Sequence, residues 1–97
     1  MIVKKHITPD KRLILAVCDK DLLGKCLEEN NLQLDLSGSF YDGTEKNAEE
    51  TKKDMKKAYI INLVGKESVQ LGIDMGLIEN IKQVSKIPYA SAIILKE

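Results

Sequence analysis

Two unbroken apolar runs constrain this chain more than any other feature. They are Leu13-Ile14-Leu15-Ala16-Val17-Cys18 and Tyr59-Ile60-Ile61-Asn62-Leu63-Val64. A strand with one wet face alternates polar and apolar residues, whereas a run with little alternation predicts burial on both faces and a central place in the sheet. Turn chemistry closes each run: Asp19 follows the first and Gly65 the second. The two runs are therefore expected side by side in mid-sheet, delivering the turns that follow them to a common rim. Ile2 to Ile7 is β-branched and partly alternating, and Thr8-Pro9-Asp10-Lys11 has turn chemistry. The first two strands are expected to form an antiparallel hairpin.

The remaining segments fill in around this pair. Asp19 is expected to N-cap a short helical turn over Lys20–Leu23, with Gly24 at its left-handed end. Leu32-x-Leu34-x-Leu36 has the period of a half-buried strand, and Glu28–Asn31 reads as an exposed turn. Thr44 is expected to cap a helix reaching about Lys57, in which Glu45, Glu49 and Glu50 precede Lys52, Lys53, Lys56 and Lys57. That order complements the helix dipole and offers Glu49 to Lys53. A second helix, Lys66–Met75, places Val69, Gly72, Ile73, Gly76 and Leu77 on one face, with Gly72 allowing close approach to the sheet and Gly76 ending the helix. Residues 77–90 are ambiguous between a short helix and an irregular strand, Pro88 is expected to break the backbone, and Ala92–Leu95 reads as a final strand. The expected fold class is α/β, bordering on α+β. It is a single globular domain over 1–97 with a mixed sheet of about five or six strands, two main helices and a short helical turn.

Composition excludes several classes of function. Of 97 residues, 43% are hydrophobic and 31% charged, which is globular rather than disordered. The 15 basic residues balance the 15 acidic ones, so the whole chain is not a general polyanion binder, although a local basic patch is compatible with the balance. No apolar run approaches the length of a membrane span, and no secretory h-region follows Met1. A cytoplasmic protein with two reduced thiols, Cys18 and Cys26, is the expectation. Two cysteines and one histidine do not make a zinc site, so neither metal nor cofactor is expected. No DNA-reading motif is present.

A few positions can carry chemistry. Val64-Gly65-Lys66-Glu67-Ser68 opens a helix like the end of a phosphate loop, but Ile60 stands where the first glycine should be and Glu67 follows the lysine. What remains is a helix start where Gly65, Lys66 and Ser68 either hold one anion or simply make a tight turn. Cys18, between a central strand and a capped turn, is either an activated thiol or a buried inert one, and Asp19 and Asp21 oppose the thiolate. His6 lies on the paired strand. Lys52, Lys53, Lys56 and Lys57 form either an RNA-backbone contact or a solvated helix face. Phe40-Tyr41, flanked by glycines, either stacks on a ligand or packs as core.

The segments Ala16-Val17-Cys18-Asp19-x-x-Leu22-Leu23-Gly24-Lys25, Phe40-Tyr41-x-Gly43, Asn62-Leu63-Val64-Gly65-Lys66 and Ile87-Pro88-Tyr89-Ala90 together resemble a family of small archaeal proteins known as a domain of unknown function. The family's last motif reads Val-Pro-His-Ala, and Tyr89 replaces its histidine here. The resemblance implies an archaeal cytoplasmic protein with a link to translation. It also directs attention to strand ends, where open α/β sheets place ligands. Cys18, Asp19, Lys25, Tyr41, Asn62, Lys66 and Tyr89 are therefore candidates for one shared cleft. The leading expectation is a non-enzymatic module binding RNA or a protein in an information-processing complex. A small-ligand or enzyme site at Cys18, Asp19, Asn62, Lys66 and Tyr89 is the second, and a self-associating structural subunit the third.

Overall fold

The two apolar runs are neighbours in the middle of one sheet. The computed structural model describes residues 1–94. Along these, β1 (Ile2–Ile7) and β2 (Leu13–Cys18) precede a 3-10 turn (Lys20–Leu22), then β3 (Cys26–Glu29), β4 (Leu32–Asp35) and β5 (Thr44–Glu45). Helix α1 (Ala48–Lys57), β6 (Ile60–Val64), α2 (Lys66–Asp74), β7 (Lys82–Val84) and β8 (Ile87–Ile93) complete them. The main sheet runs β5-β1-β2-β6-β8-β7, and β3 and β4 form a separate hairpin. β1 pairs antiparallel with β2, while β2 and β6 run parallel with Ala16 beside Asn62 and Cys18 beside Val64. The six-stranded mixed sheet, two helices and lone 3-10 turn are those expected of the sequence.

Both faces of the central strands are covered, which is why their sequences barely alternate. On one face Val3, Leu15, Val17, Ile61, Leu63 and Ala90 pack against Met55 of α1 and Val69 and Leu71 of α2. On the other, Ile2, Ala16, Cys18 and Val64 pack against Leu22, Leu36 and Tyr41, with Leu27 and Leu34 of the small hairpin beside them. Each such leucine contributes about 1.5–3 kcal/mol by leaving water. Gly72 is required for the first layer: a Cβ there would lie 2.5 Å from Leu63 Cδ1 and 2.7 Å from Ile78 Cγ1. Gly76, at φ 71°, ends α2 as expected, with Leu77 N–H donating to Gly72 O at 3.0 Å.

Several local expectations are corrected. Thr44 does not cap α1: it pairs with Val3 as part of β5. Asn47 is the cap, its side chain accepting from Glu50 N–H at 2.9 Å while Glu50 accepts from Asn47 N–H, a reciprocal box. Glu49 meets Lys52 at 3.7 Å rather than Lys53. Glu28 and Glu29 belong to β3, so the turn shrinks to Asn30–Asn31, with Asn30 at φ 56°. On α2 the buried face carries Ser68, Val69, Leu71 and Gly72, and Ile73 is exposed. The ambiguous tail is the β7–β8 hairpin, turned by Ser85 and Lys86 at φ 49° and 66°. Pro88 lies inside β8 instead of breaking it. Its carbonyl points away from β7 and accepts Gly65 N–H at 2.8 Å, so its missing amide leaves the β7 ladder intact. The last strand ends at Ile93, and Leu95 lies outside the described residues.

Candidate functional site

Because β2 and β6 are parallel, the turns after them emerge at one rim. Asp19 N–H donates to Val64 O at 3.0 Å there. The Asp19 side chain caps not its own 3-10 turn but α2, across the rim. Oδ2 accepts Glu67 N–H at 3.0 Å, and Oδ1 accepts both Ser68 N–H and Ser68 Oγ–H at 2.8 Å. Asp19 and Ser68 are both buried, and Gly65 carries φ 108°. A Cβ on Gly65 would sit 2.3 Å from Asp19 Cγ, so glycine is what lets the carboxylate reach the helix. Of the two readings of Gly65, Lys66 and Ser68, the structure has the tight turn, with the chain's own Asp19 carboxylate on the helix start. The Glu67 and Ser68 amides are thereby occupied, and Lys66 lines a surface depression with Asp19, Lys20, Asp21 and Glu67.

Cys18 falls on the inert side of its two readings. It is fully buried, and burial together with the neighbouring Asp19 charge pushes its thiol up to about 11. His6 does not approach it: His6 pairs with Ile14, whereas Cys18 pairs with Ile2. Iodoacetamide at pH 8 is expected to label the exposed Cys26 alone in the native protein and both cysteines in denaturant, read by intact mass. A second native adduct would return Cys18 to the reactive class. Tyr41 is buried against the same cluster, and burial pushes its hydroxyl up to about 12. Tyr89 is half-buried at the cluster's edge, opposite Val64 and Lys82.

The cleft candidates therefore divide. Cys18, Tyr41 and Tyr89 meet in the second core layer, and Asp19, Gly65, Lys66 and Ser68 meet at the rim. Asn62 stands on the sheet between Ala16 and Ser91. Lys25 is exposed, and its carbonyl accepts Leu36 N–H at 2.7 Å, a backbone tie. Its side chain joins neither group.

The opposite end of the sheet gathers a different set. The last turn of α1 carries exposed Lys56 and Lys57, with exposed Lys53 one turn earlier. Two residues after Lys57, Tyr59 begins the approach to β6, its N–H donating to Leu13 O at 2.8 Å. The Arg12 guanidinium lies 4.3 Å over the Tyr59 ring and 3.1 Å from Asp10. Lys11 is exposed beside it. Lys52 leans toward Glu49 and is the least available of the four helix lysines. Lys5 and Lys46 are engaged with the buried Asp54 at 3.3 and 2.7 Å. Burial alone would raise the Asp54 carboxyl, and hydrogen bonds from Lys46 and Lys5 outweigh it, holding that group below the usual range. Next to this end, on the second sheet face, Phe40 is 41% exposed and stacks on His6 with centroids 4.5 Å apart and planes 11° apart. Phe40 O accepts from His6 Nε2 at 2.9 Å, and because a carbonyl only accepts, Nε2 carries the proton.

A family described as protein of unknown function, DUF424, matches residues 6–95. The chain belongs to that family. An uncharacterized conserved protein from Methanopyrus kandleri, known from its crystal structure, is similar throughout: TM-score 0.83 and 27% identity, covering 99% of this chain and 92% of that one. Porphobilinogen deaminase of Saccharomyces cerevisiae is 37% identical over 86 residues, 86% of this chain. The chain spans only 26% of that enzyme's length.

In this DUF424 chain, the segments that carried the resemblance are largely conformational. Cys-Asp and Val-Gly-Lys build the Asp19 cap, Pro88 anchors Gly65, and Gly43 lies against β1. The Arg12–Tyr59 and His6–Phe40 pairs escaped the sequence reading. A parallel register for the two apolar runs already places Arg12 and Tyr59 at one end, so that signal was present. The His6–Phe40 contact joins residues 34 apart and left no local trace. Among the described residues no cluster of three or more metal-ligating side chains occurs, and no helix is long and apolar enough to cross a membrane.

Proposed function

We propose that this chain is a non-enzymatic binding module of the cytoplasm that engages RNA in an information-processing complex, using the basic end of its sheet. The observation that supports this reading is segregation of charge in a chain with no net charge. Lys53, Lys56 and Lys57 precede Tyr59 at the end of the sheet that also carries Lys11 and Arg12, and two acidic groups beside them are already engaged: Asp10 with Arg12, and Asp54 with Lys5 and Lys46. Other acidic side chains without a lysine partner include Glu28, Glu29 and Asp35 on the β3–β4 hairpin and those at the Asp19 rim, while Glu50 stands in the first turn of α1, away from its Lys56–Lys57 end. A polyanion approaching the basic end therefore meets ammonium and guanidinium groups with little opposing charge. The alternative reading, a small-ligand or enzyme site built on Cys18 and Asp19, would need a reactive thiol or a free carboxylate there. The buried Cys18 and the fully hydrogen-bonded Asp19 supply neither.

The test is a salt titration of binding to a labelled RNA, followed by filter retention. Binding at low salt should weaken linearly in log-log form as salt rises. Lys56→Glu with Lys57→Glu should flatten the slope by about 0.7 for each phosphate that the variant no longer neutralises. No retention at low salt would remove the proposal.

A further inference from the structure

We infer that the uncovered half of the second sheet face seats unpaired bases, so that the RNA bound at the basic end is single-stranded. The inference rests on the RNA reading above and adds a second surface to it.

The β3–β4 hairpin and the segment through Leu36 and Tyr41 cover Ile2, Ala16, Cys18, Val64 and Tyr89, and Phe40 of that segment reaches as far as His6. Strand register places His6, Ile14, Ile60 and Ile93 together in a row nearer the basic end. Ile14 and Ile60 are half-buried and Ile93 is 60% exposed, so beyond the His6 position, which Phe40 covers, these three form an apolar floor that neither buried core layer among the described residues includes. Between this floor and the covered residues, Asn62 and Ser91 supply amide and hydroxyl groups.

Phe40 forms the wall of this floor. It is held parallel to His6 and edge-on to Tyr41, at 5.1 Å and 76°, so its exposed ring is fixed in orientation before any ligand arrives. A prepositioned ring beside an apolar floor suits the flat faces of bases, and every base has such a face. In a duplex those faces are stacked inside and cannot reach it. Arg12 and Lys11 stand at the end of the same strands, so a chain laid on the floor carries its phosphates into the basic end. This continuity of apolar floor and cations favours a polyanion with exposed rings over an apolar protein face, which has no use for the cations.

Fluorescence anisotropy at low salt separates the two readings. The probes are a labelled 12-nucleotide single-stranded RNA of mixed sequence and the duplex made from it. The single strand should bind about tenfold more tightly than the duplex. Phe40→Ala should lower single-strand affinity about tenfold and leave duplex affinity and the salt slope unchanged. Phe40 is exposed, so the variant should fold, and Ile93→Ser, at another exposed position, should act in the same direction. Equal binding of both RNAs, with neither substitution having an effect, would overturn the base seat and leave the basic-end reading standing. No binding of either RNA would overturn both. Sedimentation showing a dimer that Ile93→Asp dissociates would assign this face to a second copy of the chain and overturn the seat.

Discussion

Gly65→Ala is expected to destabilise the domain by about 3 kcal/mol or more, two contributions acting at once. An alanine held at φ 108° is strained by about 1–3 kcal/mol. Its Cβ would also stand 2.3–2.6 Å from all three carboxyl atoms of Asp19, forcing that group off the α2 N-terminus. Loss of a cap costs about 0.5–2 kcal/mol, and here the buried Ser68 N–H and hydroxyl lose their acceptor as well. For a domain of this size the melting temperature should fall by roughly 12 °C or more, measured by circular dichroism. Asp19→Ala should itself destabilise, and placing Gly65→Ala on that background should cost less than on the wild type, because the clash is gone and only the backbone strain remains. Strict additivity would show that the glycine serves φ alone. A melting temperature within about 2 °C of wild type for Gly65→Ala would refute the cap.

The same residues show what the sequence could and could not announce. Burial on both faces leaves no room for polar alternation, so β2 and β6 were legible as central strands and their shared rim followed. The Asp19 cap was half legible. Aspartate after a strand announces a cap, but nothing local says that the helix it serves begins far along the chain, at Lys66. Of the β3–β4 hairpin, β4 was legible in the Leu32-x-Leu34 period and β3 was not, because it stands outside the main sheet with most of its side chains in water. Its docking relies on Ser85, whose N–H donates to Glu29 Oε1 at 2.9 Å and whose hydroxyl donates to Glu28 O. Thr44 and Asn47 are both good caps by residue type. The choice between them was made by β1, which takes Thr44 into the sheet. Cys18 and Tyr41 read as candidates for chemistry because their residue types can perform it. Burial is what withdraws them, and burial was visible for Cys18 in the run that contains it. For Tyr41 it arises from contacts with segments far along the chain.

That distant placement of Tyr41 yields the second large prediction, at Gly43. A Cβ there would lie 2.0 Å from Val3 O, 2.4 Å from Val3 C and 2.7 Å from Lys4 N. All three are backbone atoms of a strand paired on both sides, so the strand cannot retreat and the segment carrying Phe40 and Tyr41 must lift. Gly43→Ala should therefore withdraw Tyr41 from the second core layer. Exposing a buried aromatic ring costs about 3 kcal/mol, or roughly 12 °C in melting temperature. The effect should also be local enough to see directly. In the native protein the Tyr41 hydroxyl, pushed up to about 12 by burial and then by the adjacent Cys18, should give a late step in phenolate absorbance. In Gly43→Ala that late titration should move back toward the ordinary phenol range near about 10. The sign follows from desolvation, which disfavours the charged phenolate and is relieved when the ring reaches water. Because Tyr41 braces Phe40 edge-on, the same substitution should weaken single-stranded RNA binding while the salt slope set by Lys56 and Lys57 is preserved. Wild-type stability together with an unshifted tyrosine titration would mean that the segment does not bear on β1, and the exposed Phe40 ring would lose its fixed orientation as an argument for the base seat.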